Sequence, residues 1–545
     1  MDPPMGISIG IDIGVSTSGV SYCFVDRFGK AEGPPASVPL LAAQAHLQPT
    51  ILSKQHNVWG TDAKQYDDKL TLLKLALLEN ELEGEPEHIR AVQQELNKIS
   101  ATGYDAITIL ADYIGMMWAD ARSKIQQAVA FRLGGQNVGL KSSLIFSIPA
   151  VWSERAAERM QKAIVKSGIT VDASFIDLVL EPEAAALAVL PGLSKLKNGK
   201  AVVIADLGGG TVDFISYTLS PTTARRFNQC VAAEGRLLGD MFMKSALRSF
   251  IAEKVEGKLR IDIASLHQAG FEAQVKKVWR NACAFEKGAE DLREWSCPVV
   301  TNRQDGTEMP AVTIDGSDIV ATFRSITKGI LALTHSQIEA AEERQGSPQG
   351  IVVVGGFGLN SFLKEELRIN FDKLVNFTDD AGLLAVKNGA AMYGVAKMAG
   401  ESAANQQDDP VEGSARIDSR MTRRSYGVWA GTGPKDIVHW FISKNQTVGD
   451  HHDPIILPLA AFNARIDRDQ PCAPIYSCGR KVTGLRSITS DIKVYKNPYQ
   501  IRCLNPRAVD GVESLHLRPW LNDRQEIEFE VQDDLKGFFT VEKLK

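Results

Sequence analysis

Cysteine is scarce in this chain, seven in 545 residues, and Cys23, Cys230, Cys283, Cys297, Cys472, Cys478 and Cys503 show no CxxC spacing. An odd number without paired spacing argues against a disulfide framework or a zinc ribbon and reads as reduced core thiols. Surplus positive charge is missing as well. Lys and Arg total 61 against 66 Asp and Glu, a net charge of -5, so the chain lacks what a protein held to nucleic acid mainly through phosphates needs. No apolar run approaches the roughly 18 residues that span a bilayer. The start, Met1 Asp2 Pro3 Pro4, carries no basic flank ahead of an apolar core, which makes the cytosol, or the nucleus, the expected compartment. Neither a GxxxxGK[ST] loop nor a GxGxxG turn occurs. Any phosphate site must therefore be of another design.

What is present is length and alternation. A chain of 545 residues allows about three or four folding units, each able to bury its own core. Residues 6–28 read as two apolar strands joined by a turn of Gly, Ser and Thr, a hairpin with a polar tip. Apolar residues at three- and four-residue steps over 104–131 predict an amphipathic helix. A strand ends at Ile148 before Pro149, a helix over 153–167 opens on Ser153 as its N-cap, and Pro182 suits the first turn of another helix. A second polar-tipped hairpin starts at Ala201, and a strand and turn fall at 351–358. Residues 399–416 are polar, with no apolar period, and read as a linker or exposed loop. Beyond them short alternating stretches replace the helical pattern, as expected of a small antiparallel β unit.

The two hairpins carry the chemistry. Asp12 ends one apolar strand, followed by Gly14, Ser16, Thr17 and Ser18; Asp206 ends another, followed by Gly208, Gly209, Gly210, Thr211 and Asp213. Glycines let backbone N–H groups approach an anion without Cβ interference, and hydroxyls add donors, so each tip can cradle a phosphate. A carboxylate beside phosphates anchors Mg²⁺, which keeps most of its waters. One Gly-rich turn after a strand is ordinarily only a turn. Two in register, facing each other, would clamp a metal triphosphate.

GIDIGVSTSGV (10–20), SIPAVWSERAAERMQKAI (147–164), LEPEAAALAVL (180–190), ADLGGGTVDF (205–214), VVVGGFGLNSFLKEEL (352–367) and VKNGAAMYGV (386–395) occur in the order and spacing of the actin-like ATPases. In detail residues 6–398 resemble the nucleotide-binding domain of the heat shock protein 70 (DnaK-type) family. The resemblance implies an α/β fold: a two-lobed, actin-like (ribonuclease H-like) ATPase domain, with lobe I over 1–200, lobe II over 201–398, a linker over 399–416 and a β-rich, substrate-binding tail over 417–545. It implies ATP or ADP with Mg²⁺ at the floor of the cleft. By their matches Asp12 and Asp206 would hold magnesium through water, Gly14, Ser16 and Thr17 would donate to the phosphates, and Gly208, Gly209, Gly210 and Thr211 would close on them from the other lobe. Asp206 and Glu181 would orient the attacking water. Lys74 is the candidate cation near the γ-phosphate, the alternative being a lysine snorkelling from a leucine-rich helix. Gly239, Lys287, Gly355 and Gly356 would line the adenosine.

The departures bear on activity. Val15 stands where the family usually has a phosphate-contacting threonine, and Ala284 and Gly288 replace the charged residues that frame adenine. The linker lacks the family's leucine and aspartate run, and the chain ends VEKLK rather than in an acidic tetrapeptide, so the resemblance does not carry cochaperones over. His451, His452 and Asp453 ahead of Cys472 and Cys478 have the wrong spacing for a metal site and read as an exposed loop. Residues 399–545 can hold a β-sandwich and are too short to add a long helical lid. The expectation is an ATPase of low turnover that couples nucleotide state to binding of unfolded or client protein, as a chaperone does, with no nucleic-acid or membrane partner. The alternatives are a nucleotide-gated scaffold with little turnover and a sugar or acid kinase on the same core.

Overall fold

The computed structural model describes residues 4–404 apart from 42–44, 83, 136–139, 173–174, 194–196, 221–225, 261–267, 284–293, 299–310 and 372–374, and beyond 415 eleven strand segments. The protein is mixed α/β. It divides into two compact units, Met1–Ile215 with Glu234–Arg416, and Ser216–Ala233 with Ile417–Lys545.

The first unit opens on the expected hairpin. β1 (Gly6–Ile13) pairs antiparallel with β2 (Thr17–Val25), with Asp12 opposite Gly19 and Ile13 opposite Ser18. The short strands β3 (Ala36–Ser37) and β4 (Gln48–Pro49) both pair with β2. β5 (Leu52–Ser53), β6 (Val58–Trp59) and β7 (Lys69–Leu70) form a small separate sheet. β8 (Lys141–Ile148) lies parallel to β1, and β9 (Phe175–Leu180) lies parallel to β8. Parallel strands buried on both faces need continuous apolar sequence, and Leu144, Ile145, Phe146 and Ile148 are all buried.

Helices cover this sheet. α1 (Pro86–Ala101) begins with proline at its first turn, and α2 (Ala106–Arg132) is capped by Asp105, whose carboxylate accepts from the Thr108 amide. Ser153 accepts from the Ala156 amide at the head of α3 (Glu154–Lys166). α4 (Glu181–Val189) carries Pro182 in its first turn.

The second half repeats the theme. β10 (Ala201–Leu207) leads through the glycine turn to β11 (Val212–Leu219), and β12 (Arg226–Arg236) follows. α5 (Asp240–Leu259) and α6 (Gln268–Cys283) come next, then the antiparallel pair β13 (Glu294–Pro298) and β14 (Ala311–Asp315), and the long α7 (Gly316–Gln345). β15 (Ile351–Val354) is parallel to β10, and β16 (Val375–Phe377) is parallel to β15. α8 (Ser361–Phe371), α9 (Asp379–Leu383) and α10 (Ala385–Ala404) complete this part. α10 packs on α4 and β1. A Cβ on Gly389 would collide with the Ala184 carbonyl, so glycine sets the closeness of the α4–α10 crossing.

Among the described residues beyond 415 every element is a strand. Ser425–Trp429 is flanked by Ile437–Ile442 and Cys472–Cys478 within a six-stranded sheet. Ile455–Pro458, Ser514–Leu521 and Ile527–Val531 form a three-stranded one. Residues 405–415, and His451, His452 and Asp453, lie outside the described residues. No helix among the described residues is long and apolar enough to cross a membrane.

Candidate functional site

The two hairpin tips meet. A Cβ on Gly209 would collide with the Ser16 side chain, and one on Gly210 would lie 2.6 Å from Val15 Cγ2. Only glycine permits this approach.

Each tip has its carbonyls held. Thr50 donates its amide to Ser16 O at 3.0 Å and its Oγ1 to Gly14 O at 2.7 Å. On the second tip the amides of Gly239 and Met241 donate to Gly210 O and Gly209 O, both at 3.1 Å, and Asp240 donates to Gly208 O at 3.4 Å. Gly208 N closes the turn onto Thr211 O at 3.0 Å. Among the described residues no acceptor engages the N–H groups of Val15, Ser16, Gly209 or Gly210. Loops with their carbonyls occupied and their amides left over are anion cradles.

Beneath the tips sit four carboxylates. Ser147, near the end of β8, donates to Asp12 Oδ1 at 2.6 Å. Asp206, at the end of β10, is 5% exposed and Asp213, on β11, is 1% exposed. Asp213 accepts from the Val151 amide at 3.1 Å. Glu181, at the head of α4, pairs with Lys74, which is fully buried. Burial pushes Glu181 up to about 7, with Asp12 and Asp213 adding to the rise and Lys74 opposing it. Burial also raises Asp213 to about 6, against hydrogen bonds from Thr211 and the residue 150–151 backbone. Asp206 rises well above the carboxylate range, first through burial and then through Glu181, Asp213 and Asp12. Four acids gathered around one lysine favour uptake of a cation or protons. No three His, Cys, Asp or Glu side chains among the described residues form a direct metal cage. Buried carboxylates gathered in this way would suit a hydrated dication held through its waters, as Mg²⁺ prefers.

Lys74 reaches this cluster by an unexpected route. Its segment is not an amphipathic α-helix: residues Leu75–Glu81 form a 3₁₀ stretch kinked at Glu79, and Leu73 to Leu78 are all buried. A segment buried on every side shows no period. Arg159 on α3 pins it, donating to Leu77 O at 2.8 Å and pairing with Glu79 and Glu81, both at 3.1 Å. The Trp152 ring lies 5.7 Å from Lys74 Nζ.

The structure thus gathers Asp12, Gly14, Ser16, Lys74, Glu181, Asp206, Gly208, Gly209, Gly210 and Thr211. Thr17 is exposed at the first residue of β2. Gly239 packs on the second tip, where a Cβ would strike the Gly209–Gly210 peptide. Gly355, at φ +84°, passes directly over the end of β10, with a Cβ there lying 2.6 Å from Asp206 Oδ1. Gly356 follows it, with only Leu383 near its Cβ position at 3.4 Å. Lys287 lies outside the described residues. Thr50, Ser147 and Asp213 were not singled out as site residues. For Asp213 a signal existed, a second acid on the strand leaving the glycine tip; Thr50 and Ser147 offered none.

No protein-family model matches the chain. It is 25% identical over 262 residues to the chaperone protein DnaK of Picrophilus torridus, covering 47% of this chain and 40% of that one. It is 26% identical over 302 residues to DnaK of Thermotoga neapolitana, 52% and 45% of the two chains. With DnaK of Psychrobacter cryohalolentis it shares 22% over 367 residues, 65% and 53%. The matches span about half the length of these curated relatives or less. The chain is a distant relative of the heat shock protein 70 family.

Proposed function

We propose that this distant relative of the DnaK chaperones binds Mg·ATP between its two hairpin tips and hydrolyses it slowly, coupling nucleotide state to protein binding by residues 417–545. One observation carries the reading: two glycine tips in contact, their carbonyls occupied and their amides left as donors, above a buried carboxylate cluster with a single ion-paired lysine.

The chemistry follows from those positions. Phosphoryl transfer has a loose transition state, so catalysis calls for positioning and charge neutralisation more than for covalent participation. The unengaged amides of Val15, Ser16, Gly209 and Gly210 hold the β- and γ-phosphates, with Gly14, Thr17, Gly208 and Thr211 shaping the two tips. Asp12 and Asp206 hold magnesium through its waters, and the ion, when bound, offsets phosphate charge. Lys74 supplies positive charge near the γ-phosphate, and Asp206 and Glu181 orient the attacking water. Val15 is 7% exposed and packs against Gly210, so it fills space where a hydroxyl would donate. That supports low turnover. The two-lobed arrangement and the adenosine contacts of Gly239, Lys287, Gly355 and Gly356 belong to the same reading.

Calorimetric titration of ATP and ADP with Mg²⁺ into the wild type and Asp206→Asn, followed by turnover with and without unfolded peptide or sugars, tests it. The wild type is expected to bind both nucleotides, and the variant to lose at least about tenfold in turnover. Failure of the wild type to bind overturns the reading. Stimulation by a sugar alone replaces the chaperone with a kinase, and binding without turnover leaves a nucleotide-gated scaffold.

A further inference from the structure

Lys387 on α10 is 1% exposed. Its side chain runs under the first hairpin, with Cδ 2.8 Å from where a Gly19 Cβ would stand. Gly19 faces Asp12 across the β1–β2 pair. Nζ donates to Val20 O at 3.4 Å and to the Ser37 hydroxyl. The backbone is fixed too, since Ser21 Oγ donates to Lys387 O at 2.8 Å. Among the described residues no carboxylate lies within ion-pair distance of this ammonium.

Burying an ammonium without an ion-pair partner is costly, and methionine would fill the same space without that cost. Burial draws Lys387 down to about 8, while the Asp12 carboxylate pulls the other way. Anchored by two acceptors and admitted by a glycine, the charge is fixed in place. It lies against β2, beside the Gly19 that faces Asp12 across the hairpin.

We propose that Lys387 is a positioning residue for phosphate: a fixed positive charge behind the β1–β2 hairpin that draws polyphosphate, and not adenine or ribose, into the site. This rests on the nucleotide reading above, though it requires only that the site take a chain of phosphates.

The test titrates Mg²⁺ with tripolyphosphate, ATP, ADP or adenosine into the full chain, its Lys387→Met variant and its Lys387→Gln variant, with thermal midpoints in parallel. Lys387→Gln keeps a donor for Val20 and Ser37 but loses the charge. Both variants are expected to bind ATP and tripolyphosphate about three- to tenfold more weakly, as befits a charge acting at a distance through partly polar protein. ADP should lose less, and adenosine nothing. Equal weakening for all ligands, or unchanged affinity in Lys387→Gln, overturns the proposal. Wild-type binding of tripolyphosphate without ATP sinks the nucleotide reading and leaves this inference standing; binding of neither sinks both. Should Lys387→Met fail to fold, Lys387→Gln alone decides.

Discussion

The two hairpin tips share one local grammar, an aspartate two residues ahead of a glycine, and are built to different tolerances. The first is braced by a single residue, Thr50, through its amide and its hydroxyl, and Ser16 and Thr17 are exposed on it. The second is braced by three consecutive amides at the head of α5, stands over two buried acids, and leaves no room at Gly239 for a side chain. A tip held by one residue can adjust. A tip held by the backbone of a helix start cannot move without moving the helix. In the proposed clamp the first is thus the adaptable half and the second the fixed jaw.

Gly239→Ala strikes the fixed jaw and should have the largest effect. The added methyl meets peptide atoms, which cannot rotate away, so an overpacking cost of about 1–3 kcal/mol is expected, together with loss of ATP affinity by calorimetry. Unchanged stability and binding would show that the second tip is as adjustable as the first.

His88 extends the brace of the fixed jaw. It sits on α1, 3% exposed, with Nδ1–H donating to Leu237 O at 2.8 Å and its ring stacked on Phe242 at 4.0 Å. Burial lowers its pKa, with Glu87 and Glu85 opposing. A depressed histidine contributes stability that is present above its unfolded value near 6.5 and lost as pH falls through the folded value. The wild-type thermal midpoint should therefore fall more steeply from pH 6.5 to 5 than that of His88→Asn, which keeps an N–H donor and does not titrate. At neutral pH the variant should be weaker by about 1–2 kcal/mol. Parallel pH profiles would remove His88 from this role.

Thr50→Val removes one hydroxyl from the adaptable tip while keeping the amide bond to Ser16. It should cost about 1 kcal/mol, and by chemical denaturation that loss should be smaller than that of Gly239→Ala. The reverse order would break the comparison between the jaws.

The hairpins, the Ser153 cap and the Pro182 helix start could be read directly, because turn chemistry and capping are local. Lys74 was legible as a residue and not as a conformation: Leu73 to Leu78 are buried all round, which erases the periodicity that separates a helix face from a core segment. Thr50 and Ser147 act on residues 36 and 135 positions away, and no local pattern marks such partners. The end of α10 was obscured too. It runs through Ala404, into the segment expected as linker, because Gly400 and Ser402 read as loop residues while the alanines around them continue the helix. Lys387 sits in an apolar helix, where a lysine reads as an interruption and shows its meaning only against the underside of β2.

The contact at Gly389 has a mechanical consequence. α4 carries Glu181 and α10 carries Lys387, and the crossing leaves no slack for one helix to slide past the other. An acid and a base thus ride on two helices locked together at one crossing. A shift of one helix would carry the other with it and move both charges together. A bulkier residue at Gly389 would uncouple the two and leave each charge to find its own place.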